Sequence, residues 1–162
     1  ITKPTLYYFF GSKEGLFNEL LKTNYELLNQ RLTEARVYRP NQANYFEDVF
    51  PVLRAIARAY FDFAKQRSTF YQMSLALTFA PPTSDAARLS EPYRQFQYDE
   101  IEKTFLDISE AHGNLRGRER ACGRYFLALI NAQIGLWIRG KGALENTDAE
   151  ALVKLFMHGI FS

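Results

Sequence analysis

The chain has 162 residues, a formal net charge of +2, and 47% hydrophobic and 15% aromatic residues. This composition excludes a disordered chain, and so small a positive charge does not by itself indicate a nucleic-acid partner. A chain of this length buries roughly 70% of its unfolded surface without a disulfide or metal. The single cysteine, Cys122, indicates a reducing compartment, so we expect a cytoplasmic protein.

A membrane partner is not expected. A spanning helix needs about 20 consecutive apolar residues. The longest apolar stretch, residues 125–138, is shorter than this and contains Asn131 and Gln133.

The first predicted helix is short. Thr2 can cap it, and Pro4 is tolerated in its first turn because the N–H groups there have no intrahelical acceptor. Gly11 ends this helix and Ser12 caps the next one. The second helix runs to about Arg36, with leucines at helical spacing along one side. It is long enough to link an N-terminal head to the rest of the chain.

A third helix is predicted to run to about Gln66. Asn44 and Glu47 have the spacing of a capping box, which would place its start at residue 44. Pro51 argues against that start, because proline inside a helix removes a backbone hydrogen bond and kinks the axis. Two starts therefore stay open, one at Asn44 and one nearer Phe50.

Two further helices follow. Ser68 can cap a short helix that ends before the Pro81–Pro82 pair. The next begins at Ser84 or Ser90 and ends at His112 and Gly113.

The last two predicted helices complete the chain. One runs from about Arg118 to Ile138 and is closed by a glycine-containing turn, and Thr147 with Glu150 resembles a capping box that opens the other. No segment alternates with period 2, so the sequence predicts an all-α fold.

Residues 2–14, TKPTLYYFFGSKE, carry the strongest functional signal. A helix that reads DNA must present small and polar side chains to base edges and phosphates in the major groove. Thr2, Lys3, Thr5, Tyr7 and Tyr8 lie within two turns of the predicted first helix. The alternative interpretation is an amphipathic helix that packs its aromatic side into a core.

This string resembles the end of the helix-turn-helix of TetR-family transcription regulators. The resemblance implies a homodimer that binds double-stranded operator DNA and releases it when a small molecule binds. It also implies that the chain begins inside its DNA-binding domain, with residues 1–36 completing the helix-turn-helix and connecting helix, and residues 37–162 forming an effector-binding and dimerisation domain. Such a regulator is nucleoid-associated when bound to DNA. The implied DNA contacts are Thr2, Lys3, Thr5, Tyr7, Tyr8 and Lys13, whereas Phe9 departs from the family's usual His or Tyr.

The helix from Arg118 to Ile138 is the predicted dimer element. It is apolar on all sides, so it must be covered on all sides, and small residues would let a partner helix approach closely. The alternative is a central helix within one subunit. The predicted interface residues, on this helix and the last one, are Ala121, Ala128, Ala132, Gly135, Leu152, Leu155 and Gly159.

An effector pocket is expected among the many large rings, although any of these rings could equally belong to the core. The candidates are Tyr60, Phe63, Tyr71, Phe79, Tyr93, Phe96 and Trp137. The polar residues near them in the sequence, such as Gln97 and Asn131, form no charged cluster. We therefore expect a small apolar or weakly polar effector.

Nothing in the sequence supports an enzyme. His112 and His158 are far apart, and no metal-ligand spacing, nucleophile elbow or phosphate-binding loop is present. We predict no catalytic residues, metal or cofactor. Two alternatives remain: an all-α ligand-binding or adaptor module that does not bind DNA and, after it, an enzyme of unknown chemistry.

Overall fold

A computed structural model describes residues 12–159, and these residues form α-helices and one short 3₁₀ turn, with no strand among them. This confirms the predicted all-α fold. The helices are α1 Lys13–Ala35, α2 Tyr45–Gln66, α3 Ser68–Thr78, α4 Asp85–Ala111, α5 Glu119–Ile138 and α6 Asn146–His158. The 3₁₀ turn, Gly113–Leu115, lies between α4 and α5.

Side-chain caps fix the starts of three helices. Ser12 Oγ accepts a hydrogen bond from the Gly15 N–H at 2.9 Å, and Ser84 Oγ accepts one from the Ala87 N–H at 3.2 Å. Asn44 Oδ1 accepts one from the Phe46 N–H at 3.1 Å. These caps pair N–H groups that no helical carbonyl can reach. The predicted starts at Ser12 and Ser84 are therefore confirmed.

Of the two predicted starts of α2, the one at Asn44 is confirmed and the one near Phe50 is wrong. The helix begins at Tyr45, directly after the Asn44 cap, and Pro51 lies inside it with its ring exposed. The missing proline N–H costs one hydrogen bond. The cap and the burial of Val49, Val52 and Leu53 on the core side outweigh that loss.

Two other caps differ from those predicted. The capping box of α6 is formed by Glu145 and Asp148, two residues before the predicted pair, Thr147 and Glu150. The N-cap of α3 is Arg67, so Ser68 is its first helical residue and its side chain makes no cap hydrogen bond.

The helices pack around one core. α5 comes close to α4 at Gly123, where an added Cβ would lie 3.4 Å from the Glu102 backbone nitrogen. Phe105, Phe126 and Phe156 join α4, α5 and α6, with ring centroids 5.1–6.0 Å apart. This arrangement leaves the opposite sides of α5 and α6 facing outward.

The helix α1 packs on α2 and α4. Its buried residues include Leu21, Leu28 and Leu32. At its C-terminal end, the Arg36 guanidinium bonds to Glu100 of α4. The helix that directly follows the residue 2–11 segment is thus part of the core over most of its length.

Candidate ligand cavity and partner surface

A cavity of about 50 Å³ lies where α1, α2, α3, α4 and α5 meet, and we call it the α1–α5 cavity. It is lined by Tyr25, Leu28, Tyr60, Phe63, Phe70, Tyr71, Ser74, Leu75, Thr78, Arg94, Gln97, Tyr98, Leu127 and Asn131. Because residues 25 and 28 belong to α1, a change in the cavity wall acts directly on that helix.

Aromatic rings form most of the inner wall. Phe63 meets Phe70 and Tyr71 edge to face, with centroids 6.1 Å apart in both pairs. Tyr25 meets Phe70 edge to face at 5.4 Å. These contacts fix the ring orientations and hold α1, α2 and α3 together.

The predicted pocket residues are only partly brought together. Tyr60, Phe63 and Tyr71 line the cavity. Tyr93 stacks on Tyr25 at 5.2 Å, so it supports the wall without lining it.

Three other candidates do not line the cavity. Phe79 is 87% exposed and Phe96 is 46% exposed, while Trp137 packs against the core from elsewhere. The sequence pattern of a single helix shows which of its residues share a side. It does not show which rings from different helices meet at one cavity.

Two separate sets of hydrogen bonds involve residues that line the cavity. The Tyr60 hydroxyl donates to Gln97 Oε1 at 2.7 Å, and Gln97 Nε2 donates to Asn29 Oδ1. The Tyr71 hydroxyl donates to Asn131 Oδ1. Burial raises the pKa of both Tyr60 and Tyr71, so both remain neutral phenols, and each donates its one hydroxyl proton to an amide oxygen of the protein.

Arg94 is the one charged side chain among the described residues that line the cavity. Its side chain is 14% exposed, and it bonds to Ser90 Oγ, the Ala87 carbonyl and the Glu91 carboxylate. Sequence reasoning missed this residue. The available signal was the spacing of Arg94, Gln97 and Ile101, which lie along one side of α4.

A second, larger cavity of about 400 Å³ lies between α2, α4, α5 and α6. Its polar lining includes His112, Arg118 and Cys122, and none of its lining residues belongs to α1. The two cavities therefore differ in which helices a bound molecule would move.

Exposed small and apolar residues recur on α5 and on α6, and we call them together the α5–α6 face. On α5 it comprises Ala121, Tyr125, Ala128, Leu129, Ala132 and Leu136, and on α6 it comprises Ala151 and Leu155. Tyr125 is 68% exposed and Leu155 is 52% exposed. Of the other predicted interface residues, Gly135 and Leu152 are half-buried and Gly159 is exposed. α5 is therefore covered on its inner side and uncovered on its outer side.

Most of the predicted DNA-binding residues, Thr2, Lys3, Thr5, Tyr7 and Tyr8, lie outside the described residues. Lys13 is described: it is exposed and is the first residue of α1, directly after the Ser12 cap. A helix start offers unpaired N–H groups beside the lysine, and both can bind a phosphate.

Neither protein-family models nor curated protein sequences yielded a match to this chain. No helix within residues 12–159 is long and apolar enough to cross a membrane. In the same part of the chain, no group of three or more His, Cys, Asp or Glu side chains could hold a metal ion.

Proposed function

We propose that this protein is a homodimeric DNA-binding transcriptional regulator whose affinity for operator DNA depends on a small molecule in the α1–α5 cavity. One observation carries the proposal. The helix that starts directly after the TetR-like residues 2–11 also supplies part of the cavity wall, through Tyr25 and Leu28. The larger cavity between α2, α4, α5 and α6 lacks this connection.

The link between cavity and α1 is made by specific contacts. Gln97 of α4 bonds to Asn29 of α1 and to Tyr60 of α2. A ligand that engages Gln97 or Tyr60 would disturb the contact with Asn29 and shift α1. The ligand shifts the population between two tilts of α1, and the size of this shift is set by the difference in its affinity for the two tilts. We expect the ligand-bound tilt to fit DNA less well, so the protein acts as a repressor.

The α5–α6 face supports a dimer. A row of exposed apolar and small residues along one helix, such as the row on α5, is typical of a protein interface. A second copy packing on the α5–α6 face would cover Tyr125, Leu129 and Leu155. Two recognition helices would then meet half-sites about one DNA turn apart, roughly 34–36 Å, or a multiple of it.

The proposal is tested by selecting bound sequences from a pool of random duplexes with the full-length gene product. We expect enrichment of a palindromic site, and lower affinity for it when Thr5→Ala is introduced. The cavity alone would equally suit a ligand-binding module without DNA contact. Absence of any enriched sequence, from a protein that still binds a small molecule in the cavity, would favour that second function.

A further inference from the structure

The charge of the α1–α5 cavity indicates what it binds. Arg94 is the one charged side chain among the lining residues, and the others are rings, aliphatic side chains, hydroxyls and amides. With a side chain only 14% exposed, its guanidinium faces a site of low dielectric. An opposite charge placed there is screened weakly and attracted more strongly than in water.

Arg94 retains hydrogen-bonding capacity for a ligand. A guanidinium has five N–H donors in a planar fork. The protein acceptors that contact it are Ser90 Oγ, the Ala87 carbonyl and Glu91 Oε2, which are fewer than the donors. Nη2 uses both of its N–H groups, for the Ala87 carbonyl and for Glu91, and the Glu91 side chain is 61% exposed, so Glu91 is the partner that a ligand can replace most easily.

We propose that the ligand of the α1–α5 cavity is an aromatic monocarboxylate whose carboxylate binds Arg94. Arg94 already pairs with the exposed Glu91 carboxylate, so a ligand carboxylate that takes the place of Glu91 keeps the charge balanced, whereas a phosphate dianion would bring an uncompensated charge into the cavity. An organic cation is repelled by the same guanidinium. Displacing Glu91 frees an Nη2 N–H, from which the ligand carboxylate accepts a charge-assisted hydrogen bond.

The rest of the cavity selects the body of the ligand. The rings of Tyr25, Phe63, Phe70 and Tyr71 offer faces and edges on which a flat ring packs better than a flexible chain. Asn131, with Tyr71, supplies amide and hydroxyl groups for a second polar substituent on the ligand.

The cavity must enlarge to take such a molecule. Its volume of about 50 Å³ is far below the roughly 300 Å³ or more of typical small-molecule sites. α3 is the wall best able to move, because only Phe70 and Tyr71 of its eleven residues are buried. We therefore expect ligand binding to shift α3 away from α1 and α4.

This inference rests on the proposed function only in taking the cavity as the effector site, and its test needs no DNA. Benzoate, 2-naphthoate and 9-anthroate are each titrated by calorimetry against the protein, alongside their primary amides. Each amide keeps the shape and removes the charge. We expect at least one carboxylate to bind about 10-fold to 100-fold more tightly than its amide, which is the range for a charged hydrogen-bonded pair.

The variants separate binding by Arg94 from a loss of structure. Arg94→Gln should remove the preference for carboxylate over amide while leaving the amide affinity unchanged. Arg94→Lys keeps the charge but not the fork, so it should show an intermediate preference. Arg88→Gln is the matched control, since Arg88 lies on the same helix with a 61% exposed side chain, and it should behave as wild type.

Three results would overturn the inference: no member of the series binds, carboxylate and amide bind equally, or the preference survives in both Arg94 variants. Octanoate is titrated as well, and binding as tight as that of 2-naphthoate would overturn the aromatic part. If a carboxylate binds through Arg94 but the full-length protein selects no DNA sequence, the proposed function fails and this inference stands. If the full-length protein selects a DNA sequence but no carboxylate binds more tightly than its amide, the proposed function stands and this inference fails.

Discussion

Arg36 holds the end of α1 against the middle of α4 through two hydrogen bonds to Glu100. Its Nη1 donates to the Glu100 carbonyl at 2.6 Å, and its Nη2 donates to the carboxylate at 2.7 Å. Both side chains are largely buried, at 20% and 16% exposed. Since α4 lines the cavity and α1 directly follows residues 2–11, this contact joins the two parts of the molecule that the proposed mechanism couples.

Removing the Arg36 charge should destabilise the protein. Arg36→Met keeps the aliphatic stem but leaves the Glu100 carboxylate without this partner, which we expect to cost about 2 kcal/mol in the free energy of unfolding. Lys103→Ala is the matched control. It removes an exposed lysine that also bonds to Glu100, at 2.7 Å, and should cost less than about 0.5 kcal/mol. Urea denaturation measures the free energy of unfolding of both variants. Equal decreases would contradict the stabilising role of the Arg36–Glu100 contact.

Asp48 should make the protein sensitive to acid. It is buried and accepts hydrogen bonds from the Tyr38 hydroxyl at 2.7 Å, the Asn41 N–H at 2.9 Å and His112 Nε2 at 2.8 Å. Burial acts to raise the pKa of Asp48, but these bonds outweigh it and hold the pKa below the ordinary value of 3.8. The stabilisation from Asp48 is therefore present above pH 3.8 and is lost as the pH falls through the lowered value.

Asp48→Asn tests this dependence. At neutral pH it should lower the free energy of unfolding by about 2 kcal/mol, because hydrogen bonds to a charged acceptor are lost. The difference from wild type should shrink as the pH is lowered below about 4. Asp62→Asn is the control, since Asp62 is exposed and should show neither effect. A difference from wild type that stays constant with pH would show that Asp48 is not stabilising as a carboxylate.

Much of the fold could be predicted from single residues, because helix starts depend on local chemistry. The Ser12 and Ser84 caps are examples. Pro51 left a second start of α2 open because the penalty of one proline is local, whereas the burial of Val49 and Leu53 that outweighs it depends on packing. Arg94 was missed because it lies within a polar stretch of α4, and its place in the cavity depends on four other helices. The exposed alanines of α5 were identified from their spacing alone, but the partner that covers them remains a proposal.

A charge on the α5–α6 face should separate the proposed dimer. Ala132 is exposed on α5, and Ala132→Arg would bury an unpaired charge against a second copy. We expect sedimentation at micromolar concentration to show a dimer for wild type and a monomer for this variant. Gln30→Arg adds the same side chain on the exposed side of α1 and should leave the dimer intact. A monomeric wild type would contradict the proposal.

Lys13 should contribute to DNA affinity without reading the sequence. Lys13→Ala in the full-length protein should weaken binding to all duplexes alike and reduce the salt slope by about one, as expected for one phosphate contact. Lys22→Ala is the control on the same helix, since this exposed residue lies roughly 14 Å further along the axis. Equal salt slopes for Lys13→Ala and wild type would remove Lys13 from the DNA interface.

The central claim is that the cavity and the DNA-binding segment are coupled, and reciprocal calorimetry tests it most directly. A ligand bound in the α1–α5 cavity is titrated into the full-length protein with and without its selected operator. The operator is then titrated with and without the ligand. We predict that each lowers the affinity of the other by the same factor, because coupling free energy is reciprocal. Identical affinities in the presence and absence of the other partner would contradict the account.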